Sequence, residues 1–248
     1  MGTDIHTIAQ LNIPDFRHPE RRKQWNTVAK NIAGEWRNYN CYAVLADVRN
    51  GAGFAGVRTG EGWEPISEPR GIPEGVMLAK KKHFSKEDQE CSYSQMEDEE
   101  VVEEYAAVGR YFTETTQWLG DHSHSYVTLS EIKEALKKYE GAEYKNTGVV
   151  PLATYLKWKE NGEKPESWSG GIGGPDIETY TEAEWESGVR SINKDAKIYI
   201  QMSWGVPAIR NLYWLTLVVR HLELIRDIEG RGDDLTDDDV RMVFGFDS

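Results

Sequence analysis

The sequence predicts an α+β fold: a single domain over residues 1–248, with a mixed or antiparallel sheet that includes strands at both ends of the chain. Two segments carry this expectation. Asp4–Ala9 alternates as a short strand does, which places Asp4 and His6 on one face, and Val240–Phe246 alternates in the same way. A third observation is the stretch 207–228, which opens on Pro207, a residue tolerated at a helix start. Its apolar residues run nearly all the way round a helical wheel, which predicts a central, buried helix.

Between these landmarks the elements follow in order. Pro14–Lys23 is rich in charge and proline and predicts a surface loop, and Gln24–Ile32 predicts a short helix ending near Gly34. Asn40–Val48 is an apolar run whose periodicity fits a strand or a buried helix equally. The glycines from Gly51 to Gly62 mark a loop that needs positive φ or close backbone approach. Pro65 and Pro69 hold the next stretch extended. Residues 80–104, with Lys80–Lys82 and Glu97–Glu100, predict a charged flap or helical insertion within the domain. Thr128 and Glu131 have the spacing of a capping box, so a helix should follow to about Glu140, with a Glu134–Lys138 pair on its surface. A glycine-rich linker lies within 161–175, and Thr181–Arg190 predicts another helix.

Composition narrows the function classes. The 248 residues include 42 acids and 29 bases, a net charge of −13 that disfavours a broad footprint for duplex nucleic acid. The longest apolar run, Leu212–Val219, is far short of the ~20 residues that span a bilayer. The opening residues lack the basic and apolar regions of a signal peptide, and two cysteines, Cys41 and Cys91, form no disulfide framework. The expectation is a cytoplasmic protein without a membrane role.

Several constellations could carry chemistry. Asp4-x-His6 and Asp121-His122-x-His124 each place two ligand atoms on one strand face, a pattern that suits Zn, Mn or Fe through imidazole and carboxylate, while Mg prefers oxygen donors. Asp4, His6, His122 and His124 are thus candidate metal ligands, and Asp121, His122 and His124 candidate acid/base residues; the same groups could instead cap helices and bond loops. Asp47, Arg49 and Asn50 precede the glycine loop, where a guanidinium fork and open N–H groups could hold phosphate, or Asp47 could pair an arginine to fix the loop. Glu68 and Arg70, on a proline-rigid turn, could grip a ligand or join Arg49 and Asp47 in a charge network. Trp63 in the glycine loop and Trp168 beside another glycine run are candidates for exposure, where an indole can stack on a base. Ser123 and Ser125 flank histidines, but adjacency in sequence does not create the geometry of a nucleophile and its base.

Taken together, Met1-Gly2-x-Asp4-Ile5-His6, Arg37-Asn38-Tyr39, Ala46-Asp47-Val48-Arg49-Asn50-Gly51, Glu68-Pro69-Arg70-Gly71, Asp121-His122-Ser123-His124-Ser125 and Asp239-Val240-Arg241-x-Val243-Phe244 form an ordered set that covers essentially the whole chain. The set resembles a family of uncharacterised proteins carried by tailed phages and by bacterial prophages and plasmids. Many of those relatives carry cysteine where this chain has Thr3, so a thiolate ligand is lacking here. The resemblance implies a phage accessory protein acting in the bacterial host cytoplasm, of a kind that often counters host defence by degrading or sequestering a nucleotide signal. The expected function is binding of a phosphate-bearing small ligand, a nucleotide or nucleotide second messenger. Arg49, Asn50, Glu68, Arg70, Asp47 and Trp63 are the ligand-binding candidates, and any turnover would be metal-dependent phosphoester or phosphoanhydride hydrolysis. Two alternatives are a non-enzymatic nucleotide sponge and an acidic inhibitor of a host or defence protein, mimicking nucleic acid through Glu97–Glu104 and Asp233–Asp239.

Overall fold

The computed structural model describes residues 3–14, 23–33, 37–51, 53–54, 57–58, 62–76, 118–229 and 235–247. The expected charged insertion at 80–104 lies outside them, as does Cys91. Helices and mixed or antiparallel sheets alternate along the chain, as an α+β fold requires. The chain divides into two compact units. One comprises Met1–Val48, Trp63–Lys138 and Leu212–Ser248; the other comprises Arg49–Gly62 and Tyr139–Asn211.

The first unit is built on a four-stranded antiparallel sheet of β1 (Ile5–Ile13), β2 (Gln24–Lys30), β5 (His122–Thr128) and β9 (Val240–Phe246), in the order β2-β1-β9-β5. The expected terminal strands are therefore neighbours at its centre. Ile5, Thr7, Ala9 and Leu11 pair with Phe246, Phe244, Met242 and Val240. All eight are buried on one face. Gln24–Lys30, expected as a helix, is a strand: its backbone extends β1, with a bulge between Ala9 and Gln10. Pairing to a formed neighbour overrides the weak local pattern.

The ambiguous run at 40–48 is a helix, α1 (Tyr39–Ala46). Asn38 accepts the Cys41 N–H at its start, and Asp47 closes it in the left-handed region at φ 58°. The Tyr42 ring packs edge-to-face with Phe246, their centroids 4.9 Å apart. Thr128 and Glu131 cap α2 (Leu129–Lys138) reciprocally, as their spacing predicts: the Thr128 N–H donates to Glu131 at 2.8 Å and the Glu131 N–H to Thr128 at 3.3 Å. The stretch expected as one helix over 207–228 is split at Leu212 into α5 (Ala208–Asn211) and α6 (Tyr213–Glu229). In α6, Trp214, Leu215, Val218 and Leu222 form the buried stripe, while Tyr213, Leu224 and Ile228 are more than half exposed. Apolar side chains can stay at a surface when the neighbours cover one stripe alone.

On the other face of the sheet, Ile8, Val243 and Leu119 form a small core into which Ile72, Val76 and Tyr126 pack. Residues 71–76 lie against this face, held by Gly71 N–H to the His124 carbonyl (2.8 Å) and Gln10 Nε2 to the Gly75 carbonyl (3.2 Å), while upstream the Ile66 N–H donates to the Val44 carbonyl of α1 (2.7 Å). Val76 and Leu119, far apart in the sequence, share this cluster.

The second unit has a three-stranded mixed sheet in the order β6-β8-β7. β6 (Glu143–Pro151) runs antiparallel and β7 (Ile177–Thr181) parallel to β8 (Lys197–Pro207). Its core is Val150, Ile200, Met202, Trp204 and Val206 with Tyr155 of α3 (Leu152–Asn161). The expected helix at 181–190 is shorter, α4 (Glu182–Glu186), capped by Thr181 and Glu184. Trp168, as expected, is half exposed, its ring edge-on to Trp204 at 5.1 Å. Within the expected glycine loop, β3 (Gly53–Phe54) and β4 (Val57–Arg58) pair as a short hairpin. No helix among the described residues is long and apolar enough to cross a membrane.

Two glycines set the end of the first sheet. Gly120 has φ +83°, and a Cβ there would lie 2.4 Å from the Phe246 carbonyl oxygen. A Cβ on Gly245 would lie 2.0 Å from the Leu119 carbonyl oxygen and 2.6 Å from His124 Cδ2. Gly245→Ala should therefore lower stability by about 2–3 kcal/mol, the range of an overpacked core. Gly173→Ala, where a Cβ meets nothing within 4 Å, should stay within about 0.5 kcal/mol. Urea unfolding of the two variants measures the difference.

Candidate functional site

The start of β1, the end of β9 and the start of β5 meet at one end of the first sheet. Asp4 and Asp247 flank the paired strands and hold each other: the Asp4 N–H donates to Asp247 Oδ1 at 2.8 Å, and the Asp247 N–H to the Asp4 carbonyl at 3.2 Å. Arg37 donates from Nε and Nη2 to the two Asp4 oxygens at 2.5 and 2.7 Å. That pairing lowers the Asp4 carboxyl below the usual carboxylate range and raises the guanidinium above its own. His6 Nε2 lies 3.2 Å from Asp247 Oδ2. A carboxylate oxygen accepts, so Nε2 is the donor in this bond and Nδ1 takes no part in it. The His6 ring also packs on Trp118, with centroids 4.6 Å apart. Both members of the His6–Asp247 pair are about one-fifth to one-quarter exposed.

The Asp121-His122-Ser123-His124-Ser125 motif is a β-bulge. His122 pairs with Phe246 and Ser125 with Phe244, so Ser123 and His124 together oppose Gly245. Such an insertion re-aims side chains, here through Ser123 in the left-handed region at φ 52°. His124 is buried and donates from Nε2 to the Gly120 carbonyl at 3.2 Å, clamping the turn that crosses Gly245. Burial pushes its imidazole pKa below the ordinary value. His122 stacks on Phe246 at 6.1 Å, and its Nδ1 lies 3.0 Å from Ser123 Oγ. The Asp121 N–H donates to the Phe246 carbonyl at 2.6 Å.

The expected metal set is not assembled. Asp4 is engaged by Arg37, His6 by Asp247 and His124 by a backbone carbonyl, and no group of three or more His, Cys, Asp or Glu residues among the described residues is placed to hold a metal ion.

Of the expected phosphate grip, Arg70 is engaged within the first unit. Arg70 donates bidentately to Glu131 (3.0 and 2.7 Å) and also to the Tyr126 carbonyl (3.1 Å), while its own N–H donates to Ser125 Oγ (3.1 Å). The ion pair raises its pKa. Arg70 thus ties residues 62–76 to β5 and α2, with Glu131 where the sequence suggested Asp47. Glu68 is exposed on the same segment. Trp63 is a correction: its indole is 3% exposed and its N–H donates to Asn40 Oδ1 at 2.9 Å, so the ring is core and not a stacking platform. Asp47 is the C-cap of α1, and Arg49 and Asn50 belong to the second unit, Arg49 at φ 61°.

Sequence reasoning assigned no role to Arg37, Trp118, Asp247 or Arg241. Asp247 had one available signal: antiparallel pairing of the terminal strands brings the residue after β9 beside Asp4-x-His6. Arg241 is 4% exposed, with Cζ 3.9 Å from the Trp25 ring centroid and 5.3 Å from that of Tyr126. It donates to Gln10 Oε1 (2.9 Å) and the Glu74 carbonyl (2.7 Å), and no carboxylate among the described residues pairs with it. Burial pushes its pKa down to about 10. Arg70 lies 5.3 Å from the Tyr126 centroid as well, so both guanidiniums share one ring.

The neutral form of His124 is the one the fold accepts, so its contribution is complete above the unfolded value of about 6.5. It is lost as pH falls from there through the lower folded value, because the unfolded chain takes up the proton first. Urea midpoints should therefore fall between pH 7 and pH 5, and His124→Gln, which keeps a donor for Gly120, should flatten that part of the profile. In comparisons with known proteins, no family model matches the chain, and no curated protein and no solved structure matches it.

Proposed function

We propose that this protein is a phage-type accessory protein that binds a small phosphate-bearing ligand, a nucleotide or nucleotide second messenger, at the sheet end formed by Asp4, His6, Arg37, Trp118 and Asp247. The observation that carries the reading is His6: an imidazole fixed through Nε2 by Asp247, packed on an indole and partly open to solvent. A histidine held this way presents Nδ1 for proton transfer, the arrangement of a general base with its orienting carboxylate. Arg37 supplies the cation. Its side chain is about half exposed, and the fork is fixed on Asp4 by Nε and Nη2, leaving Nη1 donors for an anion. Hydrolysis of a phosphoester or phosphoanhydride is the reaction class that fits such a base beside such an anion site.

The acidic-mimic alternative gains no support from Asp237–Asp239. Asp237 is paired with Lys133 and Arg226, Asp238 accepts from Ser130, and Asp239 accepts from Lys23, Asn12 and Thr236. These carboxylates stitch the fold together and do not present a bare negative face.

Calorimetric titration with mononucleotides and with cyclic di- and oligonucleotides tests the proposal. Saturable binding is expected, weakened at least tenfold (about 1.4 kcal/mol) by Arg37→Gln and by His6→Gln. Arg70→Gln should lower the melting temperature and leave affinity unchanged. Absence of binding across the panel, or binding untouched by both site substitutions, overturns it.

A further inference from the structure

Successive side chains on a regular strand point to opposite faces, so neighbours in sequence do not meet. His122 and Ser123 do meet, with Nδ1 and Oγ 3.0 Å apart, because Ser123 adopts φ 52° inside the bulge. A left-handed backbone is costly for a residue with a Cβ, and glycine is the unstrained choice there. Serine at this position holds its hydroxyl on an imidazole whose plane is set by stacking on Phe246, 24° from parallel. Both residues are partly exposed. A hydroxyl bonded to an oriented imidazole at a strained turn is the local arrangement of an activated nucleophile. The pair lies on the Phe246 face of the sheet, opposite the face that carries His6.

We propose that Ser123 is a nucleophile and His122 its base, forming a second site on the face of the sheet opposite His6 that attacks the phosphorus of a phosphoester; the choice of substrate class rests on the function proposed above. Ser123 Oγ attacks phosphorus, and its proton passes to His122 Nδ1 as the Oγ–P bond forms. The P–O bond to the leaving group breaks with its electron pair on the departing oxygen, which takes the proton from His122. Water then attacks the phosphoseryl ester and gives a proton to His122 Nδ1. The Oγ–P bond breaks, and that proton returns to Oγ, restoring both side chains.

An alkyl fluorophosphonate tests the nucleophile without any knowledge of the ligand. It forms an Oγ–P bond with loss of fluoride, and intact-mass and peptide-mapping spectrometry of the full chain locate the adduct. A single adduct on Ser123 is expected. It should be absent from Ser123→Gly, which suits the left-handed backbone and preserves the fold. In His122→Phe, which keeps the stacked ring without its nitrogen, labelling should be slowed by roughly 100-fold or more. No adduct on the wild-type chain, an adduct on another residue, or an unchanged rate in His122→Phe each overturns the assignment. Calorimetric binding that persists in Ser123→Gly separates failure here from failure of the ligand reading.

Discussion

The ladder between β1 and β9 joins the two extremities of the chain, and the sheet end depends on it. Bringing such distant segments together costs loop-closure entropy that grows slowly with length. The compensation is local: Ile5, Ala9 and Leu11 close over Phe244, Phe246, Met242 and Val240 on one face, with Ile8 and Val243 on the other. Once the ladder forms, Asp247 falls beside His6, Asp4 beside Asp247, and the β5 bulge beside Gly245. Remove the closure and no carboxylate orients the imidazole.

Several cations among the described residues serve the fold. Arg70 and Glu131 tie an irregular segment to a strand and a helix; Lys133 and Arg226 converge on Asp237 between α2, α6 and the turn before β9. Ion pairs of this partly exposed kind each contribute modestly. Arg241 differs, since aromatic faces and amide or carbonyl oxygens replace a carboxylate around a buried guanidinium. Its partners among the described residues are neutral, which is why burial acts on it so strongly.

Much of this architecture is legible before any coordinates. Alternation exposes β1 and β9, and Thr128 with Glu131 announces α2, because these signals are local. Gln24–Lys30 misleads because its strand state comes from a neighbour far away in sequence. Trp63 misleads because glycines around it suggest an open loop, whereas the indole finds Asn40 and the core. At the site, the Asp4-x-His6 spacing points to paired function, but the partners, Arg37 and Asp247, depend on which segments the fold brings together. The His122–Ser123 contact was hidden for a different reason: a strand pattern forbids it, and one left-handed residue reverses that rule.

Val76 and Leu119 pack into the same small cluster of Ile8 and Val243. Two segments far apart in the sequence thus share one anchorage on the sheet. A cavity opened at Ile8 or Val243 would therefore loosen both segments at once, whereas the glycines at 120 and 245 leave no room for any side chain where the backbones cross.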